Sequence, residues 1–509
     1  MARILIVDDD PAFTRVTGRI LQSDEYHVMS ASDSSEALEV MSNAKPDLLL
    51  LDVTLSYDTE GLELKERMEW TPALRDIPVV MVTSLPVVDG PDEYIGETRW
   101  LTKPLEPKAL LRVVAEEIIR TVFIYSSRYA DYEYGEEHPL EPVRALETVH
   151  LCNRYGLLEK PWVDVLEPQP APPKTLALFH DWDYLGALEE ANDGVFREKL
   201  IQFGLGTVDC PVFPGVYDYS SLVAGGTLLA AQLLEQGRHD LAFNVAGGFH
   251  HAQRSNAEGF CYINDIAVAV KDLLRRGHRI AYIDIDAHHG DGVQAAFYEE
   301  DRVLTISLHE TGKTLFPWTG FETEIGLGKG RGYNINVPLP PQTDDEVFLM
   351  AFNEIVPEAV ASFDPDIVVA QLGADGLLPD QLSHLALTNN GYAEAAKTIE
   401  RISPRCLVLG GGGYHLNSVT RAWCLAWAIM NGIEPEDDYV GSIGGMMLGT
   451  EYVEGGGLRD RHVYTTGPMK EEIRTEVQTV IGRIKEHVFP LLKEPRPARS
   501  GVGLTSGRT

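Results

Sequence analysis

RIAYIDIDAHHGD, residues 279–291, decides how the rest of this chain is read. Ile280, Ala281, Tyr282, Ile283 and Ile285 form a short apolar run of buried-strand length, and acids and imidazoles crowd its carboxyl end. Side chains alternate along extended backbone, so Asp284, Asp286 and His288 share one face. The same pattern recurs around it. AFNVAGGF (242–249) runs into His250 and His251, VVAQLGA (368–374) into Asp375, and CLVLGGGG (406–413) into Tyr414. Amphipathic stretches such as GTLLAAQLLEQ (226–236) and EVFLMAFNEIVPEAVASF (346–363) separate these runs. Apolar strands alternating with helices and carrying polar carboxyl ends predict an α/β unit with a mainly parallel sheet. Ligand chemistry in such a sheet gathers beyond the strand ends.

Working outward, residues 121–494 belong to this large unit, with VFIYS (122–126) and VLTISL (303–308) as further strands. The Pro-rich stretch around Pro168–Pro173 reads as an internal loop, and 495–509 as a disordered tail. Residues 1–120 form a smaller cycle. RILIV (3–7), YHVMSA (26–31), DLLLLD (47–52), IPVVMVT (77–83) and RWLTKP (99–104) alternate with amphipathic segments and predict a parallel sheet of five strands.

Composition narrows the function classes. With 509 residues, 44% apolar and 24% charged, the chain is globular rather than disordered or collagen-like. The formal net charge of -34 repels phosphate backbones and anionic lipid, so neither nucleic acid nor membrane is an expected partner, whereas cationic partners are. Five cysteines without a CxxC pair argue against a disulfide framework or a thiolate metal site. No apolar stretch approaches the roughly 20 residues of a membrane span, and a soluble cytoplasmic protein is expected.

Two constellations carry chemistry. In the small unit, Asp8, Asp9 and Asp10 follow the first strand, Asp52 the third, Thr83 the fourth and Lys103 the fifth. Converging carboxylates repel one another unless a hard cation such as Mg2+ sits among them, while Lys103 and Thr83 suit an incoming phosphoryl group. In the large unit, Asp286, His288 and Asp375 offer two oxygens and one nitrogen to one metal, leaving room for water and substrate. Adjacent His250 and His251 need separate carboxylates, for which Asp284 and Asp291 are available, and Tyr414 can donate to a developing oxyanion.

Residues 1–120, with VDDD, LLLLD, MVTS and LTKP in register, resemble the receiver domain of two-component response regulators. The resemblance implies a flavodoxin-like fold, Asp52 as phosphoacceptor, Asp8, Asp9 and Asp52 as the Mg2+ site, and Thr83, Trp100 and Lys103 as switch residues. A cognate histidine kinase or small phosphodonor is the implied partner. Two departures stand out: the turn after Asp52 reads TLSYDTEG, and Pro86, Gly90, Pro91 and Gly96 disfavour the helix expected within 85–99.

Residues 121–494 resemble the zinc-dependent histone deacetylase family and its acetoin-utilisation and acetylpolyamine relatives. GGFHHA, GFCYINDIAVAV, YIDIDAHHGDGVQ, TISLHE, FPWTG, QLGAD and GGGGYH occur in order. An arginase/deacetylase-type fold follows, with Asp286, His288 and Asp375 as Zn2+ ligands. His251 becomes the acid/base, His250 its electrostatic partner, and Tyr414 the carbonyl-polarising residue. Gly259, Phe260 and Phe316 would line a tunnel for the acetyl-lysine stem, Asp209 would grip substrate backbone, and Arg144 would lie in an internal channel. Carbonyls around Asp284, Asp286, His288, Ser307 and Leu308 imply a K+ site. Gly290 stands where two-metal arginases carry a bridging carboxylate, so one metal is expected.

The implied activity is hydrolysis of N-acetyl-lysine-type amides to amine and acetate, regulated by phosphorylation of the receiver. Acetylpolyamine or small-amide hydrolysis, and an acetyl-lysine-binding scaffold without turnover, are the alternatives. Homo-oligomerisation is left open.

Overall fold

The structure, a computed structural model, describes residues 2–23, 26–57, 59–71, 74, 77–84, 92–95, 98–118, 121–237, 239–435 and 457–493. The expected tail 495–509 and most of segment 85–99 lie outside the described residues. The chain divides into two compact units, Met1–Arg120 with Lys160–Asp164, and Thr121–Glu159 with Val165–Thr509.

The first unit contains strands β1 (Arg3–Val7), β2 (His27–Ala31), β3 (Leu48–Asp52), β4 (Val79–Thr83), β5 (Asp92–Ile95) and β6 (Thr98–Thr102). Their order is β2-β1-β3-β4-β6-β5. The pairings from β2 to β6 are parallel, which makes the expected five-stranded parallel sheet. The strands read as continuous apolar runs because both sheet faces are covered. Leu5, Val7, Leu49, Leu51 and Met81 are buried together with Ala37, Met41, Leu64 and Met68 from the flanking helices. Fully burying each large side chain among them stabilises by about 1.5–3 kcal/mol.

Helix starts are written locally. Asp10 caps Pro11–Gln22 by accepting from the Ala12 amide at 2.8 Å, with Pro11 at the first helical turn. Asp33 caps Ser34–Ala44 through the Ser35 and Glu36 amides. The sixth strand is an addition: β5 pairs antiparallel with β6 within the segment where a helix was disfavoured.

The second unit is built on β7 (Thr121–Ile124), the Val165–Leu166 end of β8 (Val163–Leu166), β9 (Leu241–Asn244), β10 (Ile280–Asp284), β11 (Val303–Glu310), β12 (Asn334–Leu339), β13 (Ile367–Gln371) and β14 (Cys406–Leu409). They form one sheet in the order β12-β11-β10-β13-β14-β9-β7-β8, parallel from β12 through β7. After β9 the chain moves to β10, β11 and β12, then returns to insert β13 and β14 between β9 and β10. The four strand ends singled out in the sequence therefore become the adjacent set β10-β13-β14-β9. Their registers align Asp284 with Gln371, Gln371 with Leu409, and Leu409 with Asn244, so the carboxyl ends finish at one level. Among the described residues, no helix is long and apolar enough to cross a membrane.

Candidate active site and metal centre

The segment after β9 turns sharply to present two histidines. Gly248 adopts φ 106°, a left-handed value that suits glycine, and buried Asp265 accepts from the Gly248 amide at 3.0 Å and the Phe249 amide at 2.8 Å. His250 Nδ1 lies 2.8 Å from Asp284 Oδ2, and His251 Nδ1 lies 2.7 Å from Asp291 Oδ1. Their Nε2 atoms face each other at 3.1 Å. Burial pulls His250 down, but the Asp284 and Asp286 carboxylates outweigh it and lift its pKa to about 9. Burial, then the neighbouring charge on His250, pushes His251 down to about 4. The pair therefore holds one charge.

Beyond β10 and β13, Asp286, His288 and Asp375 each offer a ligand atom within 4.8 Å of the others, all buried. His288 Nδ1 is 2.8 Å from Asp375 Oδ2 and 3.3 Å from Asp286 Oδ1. Glycines cradle both carboxylates: a Cβ on Gly373 would approach Asp286 Oδ2 to 2.1 Å, and one on Gly412 would approach Asp375 Oδ2 to 2.1 Å. Burial and the Asp286 charge push Asp375 up to about 7. Burial opposes protonation of His288, yet Asp286 and Asp375 raise it to about 10. Two confined carboxylates and one imidazole nitrogen demand positive charge at one point, and this donor set fits a single divalent metal. Gly290 packs against the same apparatus, since a Cβ there would lie 2.5 Å from Asp284 Oδ2.

Apolar groups surround this centre. The Phe316 ring packs edge-on to His251 at 5.1 Å, and Phe260 edge-on to Tyr414 at 5.5 Å. A Cβ on Gly259 would strike His251 Cδ2 at 2.4 Å, so glycine there lets the loop lie against the imidazole. Burial, with Asp375 and Asp286 nearby, pushes the Tyr414 hydroxyl well above its ordinary pKa and keeps it an O–H donor. Buried Arg144 donates to the Gly413 carbonyl at 2.8 Å, just before Tyr414. Asp209 stands apart from the cluster on an exposed bend, its carbonyl 3.3 Å from His138 Nε2. Ser307, next to Leu308 on β11, aligns with Asp284 at the end of β10, so these residues of the expected K+ site lie on neighbouring strands.

The first unit has its own acid cluster. Asp8, Asp9 and Asp52 place carboxylate oxygens within 4.8 Å of one another, with Asp8 and Asp52 buried and Asp9 exposed. Lys103 Nζ donates to Asp8 Oδ2 at 2.7 Å and Asp52 Oδ2 at 2.6 Å. Burial pushes Asp8 up against the pull of Lys103, and burial of Lys103 is outweighed by Asp52 and Asp8, which raise it. Buried Thr83 ends β4, its carbonyl accepting from the Lys103 amide at 2.7 Å. Trp100 packs against the sheet core. Asp10 is occupied as a helix cap and is not in the cluster.

Several positioning groups were not anticipated. Gln371 Nε2 donates to Asp286 Oδ2 at 2.7 Å, and its Oε1 accepts from the Gly373 amide at 2.7 Å. Buried Asp380 accepts from the Tyr414 amide at 2.6 Å. Tyr282 donates to Asp284 Oδ2 at 2.6 Å, and Gln253 to Asp291 Oδ2 at 2.8 Å. Tyr282 stands two residues before Asp284 on the same strand face, a periodicity that could have identified it.

Fold and site together define the class: a receiver-type α/β unit joined in one chain to a larger α/β unit of deacetylase type. The histone deacetylase domain model matches residues 138–430, and the response regulator receiver domain model matches residues 4–115. Histone deacetylase 19 of Arabidopsis thaliana is 40% identical over 62% of this chain and 63% of its own length, so the chain spans less than two thirds of that relative. An acetoin utilization protein of Bacillus subtilis is 41% identical over 62% of this chain and 83% of its own. The crystal structure of a histone deacetylase homolog from Aquifex aeolicus aligns at TM-score 0.64 and 34% identity, covering 72% of this chain and all of that one. The chain belongs to the histone deacetylase family, which is zinc-dependent.

Proposed function

We propose that the protein hydrolyses N-acetyl-lysine-type amides to the free amine and acetate, under control of phosphorylation at Asp52. The observation that carries this reading is the buried Asp286–His288–Asp375 cluster beside two histidines anchored on separate carboxylates. Asp286, His288 and Asp375 would hold Zn2+, which supplies Lewis acidity toward the amide carbonyl and an acidified water.

Each histidine donates Nδ1–H to its carboxylate, so proton traffic runs through Nε2. His251 Nε2 takes the proton of the attacking water, while Asp291 steadies the resulting imidazolium through Nδ1. The Tyr414 hydroxyl donates to the oxygen that becomes negative as the carbonyl turns tetrahedral. The proton held at Nε2 then passes to the leaving amine, and the C–N bond breaks. Phe260 and Phe316 exclude water along the aliphatic stem, and exposed Asp209 accepts from substrate backbone amides. Carbonyls around Asp284, Asp286, His288, Ser307 and Leu308 would hold K+, whose charge would steady the loop bearing Asp286 and His288. In the receiver, Mg2+ would sit among Asp8, Asp9 and Asp52, with Lys103 balancing the phosphoryl charge.

Metal analysis and turnover of an acetyl-lysine fluorogenic peptide, with acetylspermidine in parallel and Tyr414→Phe as control, test the chemistry. A zinc-free chain with no turnover rejects it. Faster acetylspermidine turnover reassigns the substrate, a reading supported by the same acidic charge that favours basic peptides. Rates before and after treatment with a small phosphodonor test control; identical kinetics with Asp52 phosphorylated would remove direct regulation.

A further inference from the structure

Trp318 is built in a costly way. Its φ of 67° lies in the left-handed region, where a bulky side chain is a genuine outlier, and its side chain is nevertheless 61% exposed. The backbone is clamped from within: the Trp318 amide donates to the Leu315 carbonyl at 3.2 Å, and a Cβ on Gly312 would meet the Trp318 carbonyl carbon at 2.8 Å. Among the described residues no aromatic or cationic side chain stacks on the indole. Strain without packing in return collects at sites that meet a ligand. Trp318 lies two residues after Phe316, whose ring packs on His251, so this strained and exposed residue belongs to the same segment that lines the site.

The surroundings select the chemistry. The chain carries a formal net charge of -34, and acids are present in the segments around the same imidazole. His251 bonds Asp291, Glu258 immediately precedes the Gly259 that packs on His251, and Asp209 is exposed. Burial, then the Asp291 and Asp209 charges, push Glu258 up. A negative field and an open indole face both favour a cation.

We propose that Trp318 is a substrate-contact residue whose indole receives a cationic side chain neighbouring the acetylated lysine, making the enzyme selective for acetyl-lysine in basic sequence. This rests on the deacetylase reading and adds the sequence context of its substrate. Cation–π contacts of this kind are worth about 3- to 30-fold in affinity.

The test uses the full-length zinc-loaded chain with acetyl-lysine peptides carrying arginine on either side, each compared with its citrulline counterpart, which keeps shape and loses charge. Wild type should prefer arginine by about 3- to 30-fold in kcat/KM, mainly through KM. Trp318→Ala should bring the ratio close to one, Trp318→Phe should restore part of it, and Trp318→Gly should lose it while raising the melting temperature by releasing the backbone. Equal losses on arginine and citrulline peptides, or an unchanged ratio in Trp318→Ala, would overturn the proposal and leave the deacetylase reading intact. A wild-type chain inert on every peptide would overturn the deacetylase reading itself.

Discussion

His250 Nε2 and His251 Nε2 face each other at 3.1 Å while both Nδ1 atoms are held by carboxylates, so in the resting site a single proton lies between the two rings. The imidazoles consequently cannot act as interchangeable bases. His251, edge-on to Phe316, lies on the side of the apolar lining, while His250 is buried against Asp284.

His251→Ala should lower kcat on an acetyl-lysine peptide by about 100- to 10,000-fold with metal content retained. Asp291→Asn should also cut kcat, because an amide at that position can donate as well as accept and no longer fixes the Nδ1–H tautomer. Stopped-flow or fluorogenic assays beside metal analysis check both. Undiminished turnover in His251→Ala would mean that another group carries the proton.

Gln371 should matter to the metal rather than to the proton. Its Nε2 orients Asp286 from 2.7 Å, and the Gly412 amide reaches the same oxygen at 2.8 Å. Gln371→Ala removes one of these two donors and should weaken metal affinity by about 10- to 100-fold, measured by competition with a chromogenic chelator. An unaltered affinity would show that the Gly412 amide orients Asp286 unaided.

Gln371 also shows where sequence reading stops. Strands β9, β10, β11, β13 and β14 were legible because parallel strands covered on both faces must be continuously apolar, and their polar ends then stand out. In β12, Asn334, Asn336 and Pro338 break that pattern; the strand lies at the sheet edge, where proline's missing N–H is tolerated. Four-residue β8, interrupted by Asp164, carries too little periodicity to identify. Asp286, His288 and Asp375 could be singled out because two carboxylates and an imidazole at strand ends are chemically distinctive as candidate metal ligands. Gln371 and Asp380 could not, because an amide or acid acquires its orienting role only when another strand or loop arrives beside it.

Receiver chemistry is predicted to depend on Asp52 and Lys103 in different ways. With Mg2+ and a small phosphodonor, wild type should gain one phosphoryl group by intact mass and Asp52→Asn none. Lys103→Ala should still be modified, but about 10- to 100-fold more slowly, the worth of a charge-assisted hydrogen bond to the incoming group. Modification of Asp52→Asn at the wild-type rate would place the acceptor elsewhere.

Acid sensitivity should originate partly at His180. The Asn264 amide donates to His180 Nε2 at 3.0 Å, so that nitrogen must remain unprotonated, while Nδ1 faces the Arg254 carbonyl at 3.3 Å. Burial pulls its pKa down to about 4 against an ordinary 6.5. Between those values the unfolded chain binds a proton that the native state refuses. The stability contribution is therefore complete above about pH 6.5 and is lost as pH falls toward 4, amounting to about 3 kcal/mol over the window. The loss reaches the loop bearing His250 and His251, because Asn264 also donates to the His250 and Ala252 carbonyls at 3.3 and 3.0 Å. His180→Gln keeps an acceptor without a titrating ring. Its urea-unfolding free energy should fall less steeply than wild type's between pH 6.5 and 4. Parallel pH profiles for the two chains would show that His180 is not the titrating group.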